Sequence, residues 1–153
     1  MTESEIIEFV TGLPGTLVFT AGPDTEAPEV AWGDTFIWYA PDGEMPKRQQ
    51  PFATIVTKDY PGSDTASRLD RPGVFRLNIA VGRAAFERLI GYPPASHPEH
   101  HAEFDYTVID RILPNPVYAT AAWISLLNPG EQARALLQEA HARAADRHRP
   151  RSN

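Results

Sequence analysis

The chain has 153 residues, a formal net charge of -6 and no cysteine. The length fits one domain with its own core. The missing cysteines exclude disulfides, thiolate metal sites and a cysteine nucleophile. The acidic balance argues against a whole-surface nucleic-acid binder, which needs a basic face. No apolar run approaches the roughly 20 residues of a membrane helix, and the opening MTESEIIEFV lacks the basic flank of a signal peptide. The sequence therefore reads as cytoplasmic, with no membrane partner.

In chain order, residues 2–11 read as a short helix. Thr2 or Ser4 caps it, Glu3 and Glu5 favour its positive end, and Ile6, Ile7, Phe9 and Val10 give it an apolar side. Gly12 stops it. TLVFTA, residues 16–21, is β-branched and aromatic and reads as the first strand. Residues 22–28 are a polar loop. EVAWGDTFIWYA, residues 29–40, reads as a strand, or as a hairpin bent at Gly33 and Asp34. Strand alternation would put Trp32, Phe36 and Trp38 on one side, as core or as an aromatic wall for a flat ligand. Residues 52–57 are the next strand.

Residues 63–69 read as one helical turn capped by Ser63 or Asp64. Residues 74–81 are the clearest half-buried strand, with Phe75, Leu77 and Ile79 alternating with Arg76 and Asn78. A short helix spans 83–90, a long polar loop 91–103 and a helical pattern 106–113, ended by Pro114-Asn115-Pro116. Residues 117–127 read as the last strand. Residues 129–147 form the final helix, with Ala133, Leu136, Leu137, Ala140 and Ala144 on one face. The expected organisation is a single α+β domain over residues 1–147 and a flexible basic tail over 148–153. Its sheet is mostly antiparallel, with helices packed on one face. The 15 prolines fit this pattern of short strands better than a helical bundle.

The stretch PFATIVTKDYPGSDTASRLDRPGVFRLN, residues 51–78, concentrates the candidate chemistry. Lys58, Asp59, Tyr60, Asp64, Arg68, Arg71, Arg76 and Asn78 fall within it, and Asp34 and Trp32 lie on the aromatic segment before it. Arginine forks suit a carboxylate or phosphate. One reading pairs these charges with one another, so that they pin a loop. The other makes them the rim of a site for a small polar or anionic ligand, with Tyr60 or Trp32 as a packing surface. The same rim would serve an enzyme if an aspartate were free to act as acid or base. A third alternative is a homo-oligomeric interaction module built on the open sheet face or an edge strand.

His97, His100 and His101 sit with Glu99, Glu103 and Asp105. Imidazole and carboxylate can ligate a metal, but the prolines favour a solvated loop and the HExxH pattern is absent. No metal and no cofactor are assigned. There is no G-x-S-x-G elbow and no P-loop. The arginines at 143–151 read as a solvated end, so nucleic acid is not an expected partner.

EVAWGD (29–34), PFATIVTKDYPG (51–62), SRLDRPGVFRLNI (67–79) and LPNPVYATAAWISLLNP (113–129) resemble the domain-of-unknown-function family numbered 6194. The likeness covers nearly the whole chain. More remotely, the order of elements is similar to that of MmcQ/YjbR-like proteins. That similarity implies a compact α+β fold whose sheet has one open face, and it implies no particular activity, since a fold does not fix a function.

Overall fold

The computed structural model describes residues 1–148. Its centre is one six-stranded antiparallel sheet: β1 (Thr16–Thr20), β2 (Thr35–Tyr39), β3 (Ala53–Val56), β4 (Arg76–Ala80), β5 (Leu113–Pro114) and β6 (Trp123–Leu127), in the spatial order β1-β2-β3-β4-β6-β5. The α-helices are α1 (Glu3–Thr11), α2 (Arg83–Ile90), the single turn α3 (His97–His100) and α4 (Gln132–His148). The fold is α+β, as expected.

Register decides what each face of the sheet carries. Ile37, Ala53, Ile79 and Ile124 lie opposite one another across β2, β3, β4 and β6, as do Ile55, Leu77 and Leu126. Side chains alternate along a strand, so these all point to one face. There they meet Ile6 and Val10 of α1, Ala85 and Phe86 of α2, and Ala133, Leu136, Leu137 and Ala140 of α4 in one apolar cluster. The neighbouring row is Phe36, Thr54, Asn78 and Ser125, and one step along it are Val56 and Arg76. This second face is where the cleft lies.

The two long helices form for local reasons. Thr2 accepts from the Glu5 backbone N–H at 3.1 Å while the Glu5 carboxylate accepts from the Thr2 N–H at 2.9 Å, which closes a capping box on α1. In α4, Ala133, Leu136, Leu137 and Ala140 recur at helical spacing and are the buried ones. Expected Ala144 is only half-buried. Of the basic tail expected from residue 148, His148 instead ends α4 and the rest lies outside the described residues.

Elsewhere the sequence reading needs correction. Residues 29–40 do not form one strand or a hairpin: Glu29–Ala31 is a 3-10 turn and β2 begins at Thr35. Residues 63–69 hold turns and a Tyr60–Asp64 bridge rather than helix. Residues 91–103 are not an open loop but short helical turns around α3. The pattern at 106–113 is not helical. Asp110 adopts φ 53, its N–H donates to the Leu127 carbonyl at 2.7 Å, and Ile109 bridges to Leu127. Pairing with the end of β6 overrides the local helical spacing. The last strand starts at Trp123, because Ala119–Ala121 is a 3-10 turn closed by Ala122 in the left-handed region.

Candidate functional site

β4 positions the centre of the site. Leu77 and Ile79 face the helices, as the alternation requires, but Arg76 and Asn78 are buried too, at 2% and 4% exposure. The strand is covered on both faces rather than half-buried. A guanidinium at that depth needs a paired charge. Asp64 supplies it: Arg76 donates to Asp64 Oδ1 at 2.9 Å and to Oδ2 at 2.5 Å, a bidentate fork. Arg76 also donates to Ser67 Oγ at 2.9 Å and, through Nε, to Asn78 Oδ1 at 2.7 Å.

From Asn78 the network crosses the sheet along its own register. Asn78 Nδ2 donates to Thr54 Oγ1 on β3 at 3.0 Å, and Asn78 Oδ1 accepts from Ser125 Oγ on β6 at 2.9 Å and from Asn115 Nδ2 at 3.0 Å. Asn115 Nδ2 also donates to Ser125, and its Oδ1 accepts from the backbone N–H groups of Val117 and Tyr118 at 2.9 and 2.8 Å. One amide thus ties the polar row to the segment that carries Tyr118.

Above this floor is a cleft of about 490 Å³. Its walls are of two kinds. Tyr60, Ser63 and Asp64 come from the segment after β3 and Gln50 and Pro51 from the segment before it; Val117, Tyr118, Ala121 and Trp123 come from the chain that leads into β6, and Phe36 and Val56 complete the apolar surface. Tyr118 is 59% exposed on the rim and packs against Trp123 with ring centroids 6.5 Å apart.

Asp34 is the other carboxylate in the cleft lining, and it is buried, at 1% exposure. Its Oδ1 accepts from the Thr57 N–H at 2.9 Å and the Thr57 hydroxyl at 3.1 Å, and Oδ2 accepts from the Tyr60 hydroxyl. The Lys58 ammonium lies 3.6 Å from Oδ1 and donates to the Trp32 carbonyl at 2.5 Å. Burial raises the Asp34 pKa above the usual carboxylate range, and the Thr57 hydrogen bonds and Lys58 oppose that rise. Asp64, doubly held by arginine, is not free to act as a base. Among the described residues Asp34 has no arginine partner.

Of the residues expected at the site, the structure brings Asp34, Tyr60, Asp64, Arg76 and Asn78 to the cleft. The others are not in its lining. Lys58 is spent on Asp34 and on Trp32 O. Trp32 is off β2, its indole N–H donating to Ala27 O at 3.1 Å, so it does not share a strand face with Phe36 and Trp38. Phe36 and Trp38 do share one, with centroids 6.1 Å apart. Asp59 accepts from the Leu69 N–H at 2.8 Å. Arg71 donates to the carbonyls of Arg68, Ser67 and Thr107, stapling its loop. Arg68 is exposed, with φ 54. Lys58 thus pairs with a charge, whereas Asp59 and Arg71 bond backbone groups of the loop rather than one another.

Asn115, Val117, Tyr118 and Trp123 were not expected at the site. In the sequence only the aromatic side chains of Tyr118 and Trp123, within residues 117–127, mark this segment. Among the described residues, no group of three or more His, Cys, Asp or Glu side chains is placed to hold a metal ion.

No curated protein and no solved structure matches the chain, and the expected link to MmcQ/YjbR-like proteins is not shown. The model of the Family of unknown function (DUF6194) matches residues 1–153, and the chain belongs to that family.

Proposed function

We propose that the cleft is a non-catalytic binding site for a small polar molecule with a flat apolar body. The carrying observation is the buried polar row under an open, aromatic-rimmed cleft. A buried ion pair stabilises a fold no better than well-packed apolar side chains would. Its position at the bottom of a cleft therefore favours recognition over stability as its role.

The charge balance refines the ligand. Asp64 neutralises Arg76, and Lys58 neutralises Asp34. A strongly anionic ligand meets no unpaired cation on the floor. Four of the five guanidinium N–H groups of Arg76 are used within the protein. The remaining N–H, the Thr54 hydroxyl and the unpaired edges of Asp64 offer donors beside acceptors. That pattern suits a ring carrying an amide or a ring N–H next to a carbonyl. Trp123, Phe36 and Tyr118 offer surfaces for the ring itself. The absence of cysteine is the basis for placing this activity in the reducing cytoplasm.

The test is a thermal-shift comparison of uracil, benzamide and indole with benzoate and inorganic phosphate. A ligand at 100 times its Kd adds about 2.7 kcal/mol of stability. Stabilisation by the neutral ring compounds, lost in Tyr118→Ala, is expected. Stabilisation by phosphate alone would contradict this reading.

A second reading, proton transfer by Asp34, has its raised pKa and its lack of an arginine partner in its favour. If a compound bound in the cleft is turned over, Asp34→Asn retains binding and loses turnover. Undiminished turnover in that variant would dismiss it.

A further inference from the structure

We propose that Tyr92, His97, His101 and Tyr106 form a proton-operated latch that holds the Tyr118–Ala121 wall of the cleft and releases it in acid. The consequence for a ligand rests on the cleft being a binding site. The latch itself does not.

The four side chains make a continuous hydrogen-bonded chain. His97, 5% exposed, contacts the Tyr92 hydroxyl through Nδ1 at 2.7 Å and His101 Nδ1 through Nε2 at 3.0 Å. The Tyr106 hydroxyl lies 3.0 Å from His101 Nδ1 and 3.4 Å from His97 Nε2, and donates to the His101 carbonyl at 2.8 Å. One proton arrangement satisfies the neutral chain: Tyr92 donates to His97 Nδ1, and His97 Nε2–H donates to His101 Nδ1.

The contact between the two imidazoles holds one proton. If the exposed His101 is charged, its Nδ1–H donates to His97, whose own proton moves to Nδ1 and faces the Tyr92 oxygen. If His97 is charged as well, two N–H groups confront each other across 3.0 Å and the chain breaks.

No surrounding group relieves that second charge. From its own turn and the one after it, His97 faces His100 and His101. From the flanking segments it faces Tyr92, Tyr106 and Phe104, and the adjoining turn at Ala119–Ala121 carries no titratable side chain. The nearby Glu103 carboxylate is engaged by His100 at 2.5 Å. Among the described residues no carboxylate bonds to His97. Burial, then the charges of His101 and His100, lower its pKa below the ordinary histidine value. Burial pushes the Tyr92 and Tyr106 hydroxyls up to about 12, so both stay protonated.

The mechanical link is direct. The turn Pro94–Ser96 and α3 pack on the 3-10 turn Ala119–Ala121, which presents Ala121 to the cleft beside Tyr118. That turn ends at Ala122 in a left-handed conformation, φ 67. Such a residue persists only when its surroundings over-determine it. Removing the packing beneath it lets the turn relax and carries the cleft wall with it.

The experiment is a pH titration of the ligand-free protein by amide and histidine-ring NMR. In the wild type, the Ala121 and Ala122 amides are expected to shift with the same midpoint as the His97 ring. In His97→Gln that shift is lost, while the Thr57 amide, bonded to Asp34, still titrates and reports an intact fold. In His101→Gln, the amide carbonyl can accept from a charged His97, so no second N–H confronts it; His97 still titrates, with its midpoint moved upward, while the Ala121 and Ala122 shift is largely lost. The proposal is overturned if Ala121 and Ala122 titrate unchanged in His97→Gln, or if they stay still while His97 titrates in the wild type. A His101→Gln protein whose Ala121 and Ala122 amides still shift with the wild-type amplitude as His97 titrates overturns it as well, whether or not His97→Gln folds.

Discussion

Removing the Asp64 carboxylate isolates the cost of the buried charge on β4. In Asp64→Ala the Arg76 guanidinium, 2% exposed, keeps only Ser67 and Asn78 as partners. Breaking a buried pair on one side costs about 3–5 kcal/mol. Asp64 is itself 14% exposed, so water can enter where the carboxylate was, and the lower end, about 3 kcal/mol, is expected. For a chain of this size that corresponds to a fall in Tm of about 6–12 °C. Urea unfolding followed by tryptophan fluorescence measures it, with the midpoint displaced and the m-value unchanged. The Arg88–Glu139 pair is the internal control, because its side chains are 58% and 46% exposed; Arg88→Ala should leave the urea midpoint nearly unchanged. Replacing both partners, Asp64→Leu with Arg76→Met, should recover most of the Asp64→Ala loss. An Asp64→Ala cost below about 1 kcal/mol, the size of an exposed pair, would refute the reasoning. The guanidinium would then be hydrated, and the polar row would not be a buried feature.

Other outcomes follow from single contacts. A Cβ on Gly15, at φ 71, would lie 2.8 Å from the Tyr39 ring, so Gly15→Ala should destabilise by at least the roughly 1–2 kcal/mol of a left-handed non-glycine residue, read from the same urea curves. Leu137 is fully buried on α4, and Leu137→Ala should cost about 2–5 kcal/mol. His97 has a lowered folded pKa, so the unfolded chain binds its proton first. Its contribution is complete above the unfolded value of about 6.5 and is lost as pH falls from there toward the folded pKa. The stability of the wild type relative to His97→Gln should therefore decline as the pH falls below about 6.5, and an unchanged difference would show that His97 is no more buried than in the unfolded chain.

Where local signals agreed with the fold, the sequence could be read. The Thr2 cap with Glu3 and Glu5 in the first turn of α1, the apolar spacing of α4 and the alternation in β4 all act within one element. The failures lie where a distant partner decides. Pro114 reads as a terminator, yet β5 is the edge strand of the sheet, where a missing N–H costs no ladder bond. Asp110 looks like a residue in a helical run, but its carboxylate accepts from the Gly130 N–H at 2.8 Å and the Gln132 amide at 3.0 Å, which fixes the left-handed bend. The site divides in the same way. Arg76, Asn78, Asp64, Tyr60 and Asp34 were legible as charges and polar groups around apolar strands. Asn115 was not, because it meets Asn78 across 37 residues of chain, through the pairing of β4 with β6 and β6 with β5. Arg68, Arg71 and Asp59 looked equivalent to Arg76 in sequence. Nothing local distinguishes a guanidinium under a cleft from one that staples its own loop.

Occupancy of the cleft is the claim on which the functional account stands, and a blocking variant tests it most directly. Ala121 is exposed on the cleft wall, so Ala121→Trp would fill the mouth without disturbing the core. Uracil, benzamide and indole would be titrated into the labelled wild type and Ala121→Trp, with amide shifts recorded. The account predicts saturable shifts at Tyr60, Ser63, Val117 and Tyr118 in the wild type and none in the variant. No saturable shift at those four amides with any of the three probes, or the same shifts in the blocked protein, would contradict it.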